Sequence, residues 1–145
     1  NGENVTSLLR TEETGKMASK TSKYAAVRTK LVALQRGLAK KTDVIMDGRD
    51  IGTTVLPDAF AKIYLTASSD ARAKRRYDEL KEKGENCSFD AIKEDIEKRD
   101  YEDMHRAISP LKQADDAVLV DTSDMNIEQV VAALSKIIDE KKAGR

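Results

Sequence analysis

Two acidic residues, an arginine and two glycines follow a short apolar run at residues 44–46, in the segment 47–53 with the sequence Asp-Gly-Arg-Asp-Ile-Gly-Thr. Phosphate binding is one chemistry open to this segment, because the planar guanidinium of Arg49 can donate two parallel hydrogen bonds to a phosphate. Gly48 and Gly52 allow a ligand to approach the backbone. Ligands of open parallel sheets bind beyond the carboxyl ends of the strands. The segment is also compatible with an ordinary polar turn at the end of a strand.

A second group of candidates consists of Arg99, Asp103 and Arg106, which are spaced four and three residues apart. On a helix this spacing places two guanidinium groups and one carboxylate on one face. Such a face could hold a phosphate and a sugar hydroxyl together. The alternative is a solvated, salt-bridged surface, since Asp95 and Glu102 each precede an arginine by four residues.

A third group, Arg72, Arg75 and Arg76, also shares one predicted helix face. Cations this close repel one another unless an anion neutralises them. A bound phosphate could serve as the counter-ion. Glu79, within one turn of Arg75 and Arg76, could serve instead.

Composition limits the classes of partner. The 145 residues suit one domain, and 26 basic residues balance 26 acidic ones. A net charge of zero and 4% aromatic content argue against nucleic acid and against an anionic membrane surface. Cys87 is the single cysteine, so an internal disulfide is excluded and a reducing cytoplasm is predicted. No apolar run approaches the ~20 residues of a membrane span.

Strands and helices must alternate to position these groups. Short aliphatic runs at residues 44–46, 62–66 and 117–121 predict buried parallel strands. One helix is expected to start at residues 68–70 and stop near Gly84, and another to run from Ser88 to before Pro110. A last helix is indicated by apolar residues at spacings of three and four that should pack on the sheet, namely Ile127, Val130, Val131, Leu134, Ile137 and Ile138. The pattern predicts an α/β fold.

The first forty residues lack a convincing strand pattern. An apolar stripe predicts a helix that begins near Ser22, with Val27, Leu31, Leu34 and Leu38 on one face.

Together these segments resemble the bacterial cytidylate kinases, and the resemblance spans nearly the whole chain. The segments that carry it are Arg10-Thr11-Glu12-Glu13, Val27-Arg28, Gln35-Arg36, Asp47-Gly48-Arg49-Asp50-Ile51-Gly52-Thr53, Pro57-Asp58-Ala59, Arg75-Arg76, Lys98-Arg99-Asp100 and Arg106-Ala107-Ile108-Ser109-Pro110-Leu111.

The resemblance implies a P-loop kinase-like, three-layer parallel sheet and transfer of a phosphoryl group from ATP, with Mg²⁺, to CMP or dCMP. Residues 1–40 would belong to the nucleoside-monophosphate-binding region. Residues 41–145 would supply the remaining core strands and helices, with a mobile lid at about residues 72–106.

The resemblance also implies roles for individual residues. Ser19, Arg28 and Asp50 would contact the cytosine edge, and Asp103 would bind the sugar. The acceptor phosphate would be held by Arg49, Arg99 and Arg106, which would also be the catalytic groups. Arg72, Arg75 or Arg76 would reach the ATP side. No metal ligand is assigned within this chain.

One family feature is absent from the sequence, because no segment reads G-x-x-x-x-G-K-[ST]. This loop supplies backbone amides and a lysine to the donor phosphates, so we expect the chain alone to be inactive. In the family the missing first strand lies between the strands predicted at residues 44–46 and 62–66. We therefore expect an incomplete sheet that needs an N-terminal segment or a second chain. Alternatives are a non-catalytic nucleotide-binding or assembly module and a UMP-preferring kinase.

Overall fold

A computed structural model describes residues 2–9 and 11–144. Arg10, the first residue of one family-like segment, lies outside these ranges. The chain divides into two units, Asn1–Met46 and Asp47–Arg145. None of the described helices is both long and apolar enough to cross a membrane.

The regular elements described in the unit Asn1–Met46 are helical. A 3₁₀ turn at Thr6–Leu8 precedes α1 (Glu12–Thr21) and α2 (Ala25–Ala39). Helix α1 was not predicted from the sequence, because Met17 and Ala18 are its only apolar side chains. Thr11 caps this helix by accepting a hydrogen bond from the Thr14 amide at 3.3 Å.

The predicted helix with the apolar stripe is confirmed as α2, but it begins at Ala25. Ser22 instead ends α1 as its C-cap residue. The stripe is not buried in the described structure, because its four residues, Val27, Leu31, Leu34 and Leu38, are 38–58% exposed.

The strand predicted at residues 44–46 is wrong, because this segment is irregular. Ile45 is 99% exposed. A parallel strand requires a neighbour that pairs with its backbone groups. In the described part of the chain, no backbone hydrogen bond joins residues 44–46 to another strand.

Where it is described, the unit Asp47–Arg145 contains a parallel two-stranded sheet and three α-helices. Its strands are β1 (Ile63–Thr66) and β2 (Val118–Asp121), paired from Ile63 with Val118 to Thr66 with Asp121. The helices are α3 (Ser69–Glu82), α4 (Phe89–His105) and α5 (Ile127–Ala143). The α/β class and both strand predictions are therefore confirmed in this unit.

Local capping explains where these helices begin and end. The Ser68 hydroxyl accepts from the Ala71 amide at 3.1 Å, and the Ser88 hydroxyl accepts from the Ala91 amide at 3.4 Å. Gly84 follows α3 with a φ of +76°, a left-handed conformation that glycine adopts readily. Both predicted helix starts and the predicted stop are confirmed.

Helix α5 begins with a capping box formed by Asn126 and Gln129. Its apolar stripe is only partly covered. Ile127 is 83% exposed and Val131 is 56% exposed, and no described residue of α5 is fully buried. The prediction that the whole stripe packs on the sheet is therefore wrong for Ile127 and Val131.

Hydrogen bonds tie the carboxyl ends of the two strands together. The Thr122 hydroxyl donates to the Thr66 carbonyl at 2.9 Å, and Ser123 Oγ accepts from the Ser68 amide at 2.9 Å. The hydroxyl and the amide of Ser123 donate to Asp121 and lower the pKa of its carboxyl group. This edge of the sheet is thus fixed immediately before α3 begins.

Candidate functional site

The centre of the candidate site is the guanidinium of Arg106, which lies between two buried carboxylates. Its Nη2 is 3.8 Å from Asp50 Oδ1, and its Nη1 is 3.7 Å from Asp103 Oδ1. These distances fit ion pairs but are too long for hydrogen bonds. Nη2 is buried and, in the described part of the chain, has no hydrogen-bond partner. A buried donor without a hydrogen-bond partner is costly and is suited to a ligand oxygen.

Arg49 provides a second cation at the same cluster. Its Nε donates to Asp103 Oδ2 at 2.8 Å, so Asp103 lies between Arg49 and Arg106. The Arg49 side chain is 43% exposed, whereas the Arg106 side chain is 16% exposed. Arg49 therefore lies at the rim and Arg106 in the interior.

Asp50 is positioned by a π-helical turn at Ile51–Val55. Its carbonyl accepts from the amides of Thr54 at 2.8 Å and Val55 at 3.2 Å. Val55 is 2% exposed and anchors the turn in the core. Because π-helical turns are rare and occur often at functional sites, this geometry supports a functional role for residues 47–53.

The two glycines of this loop have a packing role. A Cβ on Gly48 would lie 2.8 Å from Ile51 Cγ1, and a Cβ on Gly52 would lie 3.2 Å from Lys62 Cδ. Lys62 is buried, and its ammonium pairs with Asp116 at 2.7 Å, which lowers the pKa of that carboxyl group. The glycines thus make room for neighbouring side chains, a role that the sequence analysis did not assign.

The end of α4 differs from the predicted helix face. Asp103 is on the last turn, but the helix ends at His105 and Arg106 is extended, with a ψ of 143°. Arg106 therefore leaves the helical path and meets both Asp103 and Asp50. Arg99 does not join them: it is exposed, and no described side chain lies within ion-pair distance of it.

Of the three candidate lid arginines, Arg72 forms the most extensive ion pair. It donates to both carboxylate oxygens of Asp100, at 2.9 and 2.6 Å, and so links α3 to α4. Its Nε also donates to the Ala67 carbonyl at 3.0 Å. The hydrogen bond to Asp100 raises the pKa of Arg72 above its ordinary value.

Arg75 and Arg76 also have protein partners. Arg75 donates to the carbonyls of Thr122 and Met125, the latter at 3.3 Å. Arg76 donates to Glu79 at 2.8 Å. Hydrogen bonds from Lys83 and then Arg76 lower the pKa of Glu79. Glu79 thus serves as the counter-ion for Arg76, one of the two possibilities raised by the sequence.

The remaining predicted contact residues belong to the other unit. Ser19 lies on α1 and Arg28 on α2, and both are half-buried. Arg49, Asp50, Asp103 and Arg106 all belong to Asp47–Arg145.

One residue of the site was missed at the sequence level. The Ser109 carbonyl accepts a hydrogen bond from Arg106 Nε at 2.6 Å. Ser109 has a φ of +48°, which is unusual for a residue other than glycine. The signal in the sequence was a serine before Pro110, which indicates a turn but not its handedness.

A metal site does not emerge from these residues. In the described ranges, no three histidine, cysteine, aspartate or glutamate side chains converge as potential ligands.

The chain belongs to the cytidylate kinase family, whose model matches residues 1–140. Among its curated relatives, the cytidylate kinase of Lactobacillus johnsonii is 52% identical over 142 residues, which are 98% of this chain and 62% of that protein. The cytidylate kinase of Thermosipho melanesiensis is 47% identical over 141 residues, 97% of this chain and 65% of that protein. The resemblance stated from the sequence is thus confirmed. The chain spans about three fifths of the length of these relatives.

Proposed function

We propose that this chain carries the acceptor half of an enzyme that transfers a phosphoryl group from ATP to CMP or dCMP, forming CDP or dCDP. The observation that carries the proposal is the buried Nη2 of Arg106, a hydrogen-bond donor without a partner in the described structure. Family membership suggests which ligand this donor binds, since the acceptor of a cytidylate kinase is a nucleoside monophosphate and carries a phosphate.

Arg106 and Arg49 are proposed to hold the acceptor phosphate. Their guanidinium groups are 3.7 and 2.8 Å from the same carboxylate, Asp103, so a phosphate that approaches Arg106 comes close to Arg49 as well. Arg99 is proposed to close on the phosphate from the exposed side of α4. Cationic side chains suit this reaction because the transferred phosphoryl group spreads negative charge over its oxygens.

Asp50 is proposed to select the base, with Ser19 and Arg28 as further contacts to the cytosine edge. A carboxylate accepts a hydrogen bond from the exocyclic amine of cytosine, whereas the corresponding carbonyl of uracil offers no donor. Asp50 is 7% exposed and is held by the π-helical turn. Asp103, equally buried, is proposed to accept from the sugar hydroxyls.

The donor side is proposed to involve Arg72, Arg75 and Arg76 in a mobile lid at residues 72–106. A phosphate would then compete with their present partners, Asp100, the Thr122 carbonyl and Glu79. We further propose that a segment outside these 145 residues provides the phosphate loop and the strand that complete a three-layer parallel sheet. The enzyme would act in the cytoplasm, where nucleotides and reduced thiols coexist.

A titration of the ¹⁵N-arginine-labelled chain tests the proposed phosphate site. We expect CMP and inorganic phosphate to shift the NMR signals of Arg106, whereas cytidine, which lacks the phosphate, leaves them unchanged. Loss of one signal in Arg106→Lys identifies the resonance. If CMP and cytidine act alike, or if neither perturbs Arg106, this residue does not hold the acceptor phosphate.

A further inference from the structure

The loop after α4 holds the Arg106 side chain through the backbone of Ser109. The Arg106 Nε–H donates to the Ser109 carbonyl at 2.6 Å, only three residues along the chain. With Nε occupied in this way, the two Nη atoms are left to face Asp103 and Asp50. The orientation of the guanidinium therefore depends on where the Ser109 carbonyl lies.

The position of this carbonyl requires an unfavourable backbone conformation. Ser109 has a φ of +48°. A side-chain Cβ disfavours the left-handed region, and a residue followed by proline ordinarily adopts an extended conformation. Strain of this kind persists only where the surrounding structure enforces it, and it is frequent at functional sites.

The far end of the loop is fixed to the helix that carries Asp103. The Leu111 amide donates to the Asp103 carbonyl at 2.8 Å. Residues 106–111 thus leave α4 and return to its last turn, with Ser109 at the strained position. The loop therefore contacts both Arg106 and the backbone of Asp103, so the positions of these two residues depend on each other.

We propose that Ser109 is a positioning residue for the acceptor phosphate: its left-handed backbone directs a carbonyl to Arg106 Nε and so aims the Nη donors at the phosphate. The role in phosphate binding rests on the proposed function, whereas the positioning of Arg106 by Ser109 does not depend on it. The group that positions Arg106 is the backbone carbonyl of Ser109. The side chain at this position matters only because it determines which φ values are favourable.

Four variants distinguish the contribution of the Ser109 backbone from that of the Ser109 hydroxyl. Ser109→Gly permits a positive φ without a Cβ, and Ser109→Ala removes only the hydroxyl. Ser109→Thr keeps a hydroxyl but adds a β-branch, which is strongly disfavoured at positive φ. Ala107→Thr is the matched control, since it introduces the same residue at an exposed neighbouring position.

Hydrogen exchange of the Arg106 Nε–H, followed by NMR on the 145-residue chain, measures the positioning directly. We expect exchange in Ser109→Thr to be about tenfold faster than in the wild type, whereas the Gly, Ala and Ala107→Thr variants stay near the wild-type rate. Equal rates in Ser109→Thr and Ala107→Thr would overturn the proposal. So would faster exchange in Ser109→Ala with normal exchange in Ser109→Thr, because the hydroxyl would then be the active group.

A second measurement needs no variant, in case Ser109→Thr fails to fold. A scalar coupling across the hydrogen bond between Arg106 Nε and the Ser109 carbonyl carbon is expected in the wild-type chain, and its absence would overturn the proposal. Addition of CMP then separates the two hypotheses. A protected Nε–H that depends on Ser109 while Arg106 ignores CMP would support the positioning role and contradict the proposed function.

Discussion

Replacement of Arg106 by alanine is expected to raise the KM for CMP about 100-fold in the N-terminally extended enzyme, with little change in the KM for ATP. Two charge-assisted hydrogen bonds to a phosphate account for this factor, at about 1.5–3 kcal/mol each and with partial compensation by neighbours. Arg49, 2.8 Å from Asp103, is the neighbour that can compensate. The measurement is a steady-state titration of each substrate at saturation of the other.

Two variants control the Arg106 experiment. Arg106→Lys keeps the positive charge near Asp50 and Asp103 and should fall between the wild type and the alanine variant. Lys136→Ala removes an exposed cation on α5, far along the sequence from the cluster, and should leave both KM values unchanged. Thermal unfolding shows whether the alanine variant is folded, since it leaves Asp50 and Asp103 with less charge compensation. A folded Arg106→Ala enzyme with a normal CMP titration would show that Arg106 does not bind the acceptor.

Replacement of Asp50 by asparagine is expected to lower the preference for CMP over UMP about 100-fold, measured as the ratio of kcat/KM values in the same extended enzyme. A site that pairs a buried acceptor with a substrate amine rejects an analogue without that donor, because the acceptor is left unpaired. The amide of asparagine can donate to the uracil carbonyl, so UMP should gain as CMP loses.

Asp47→Asn is the matched control for Asp50→Asn. It makes the same chemical change three residues earlier, at an exposed position of the same segment, and should leave the preference unchanged. Similar kcat/KM values for CMP and UMP in the wild-type enzyme would favour the UMP-accepting alternative. An unchanged preference in Asp50→Asn would assign base selection to other residues, with Ser19 and Arg28 as the next candidates.

The parts of the fold predicted from sequence are those determined locally. Ser68, Ser88 and Gly84 define helix ends through their own side chain or backbone, so both ends of α3 and the start of α4 were placed within a residue or two. Residues 44–46 have the composition of a strand, but a strand also needs a partner, and composition says nothing of whether one is present. The Ile127 prediction was wrong for a related reason: periodicity defines the apolar face of a helix without specifying what covers it.

The candidate site was predictable in its residue types but not in its geometry. Helical spacing grouped Arg99 with Arg106, yet α4 ends at His105, and Arg106 turns away towards Asp50. That contact joins residues 56 positions apart, which local patterns cannot reveal. Ser109 was missed because its contribution comes from a backbone angle and a carbonyl, and neither depends on a characteristic side chain.

The most direct test of the proposed acceptor half is a coupled assay of ADP formation with ATP, Mg²⁺ and CMP, run on the 145-residue chain and on a version extended at its N-terminus to include the phosphate loop. We expect CMP-dependent turnover by the extended protein and none above background by the 145-residue chain. CMP-dependent turnover by the 145-residue chain would contradict the need for a separate donor half. A folded extended protein that hydrolyses ATP without any response to CMP would contradict the assignment of the acceptor site.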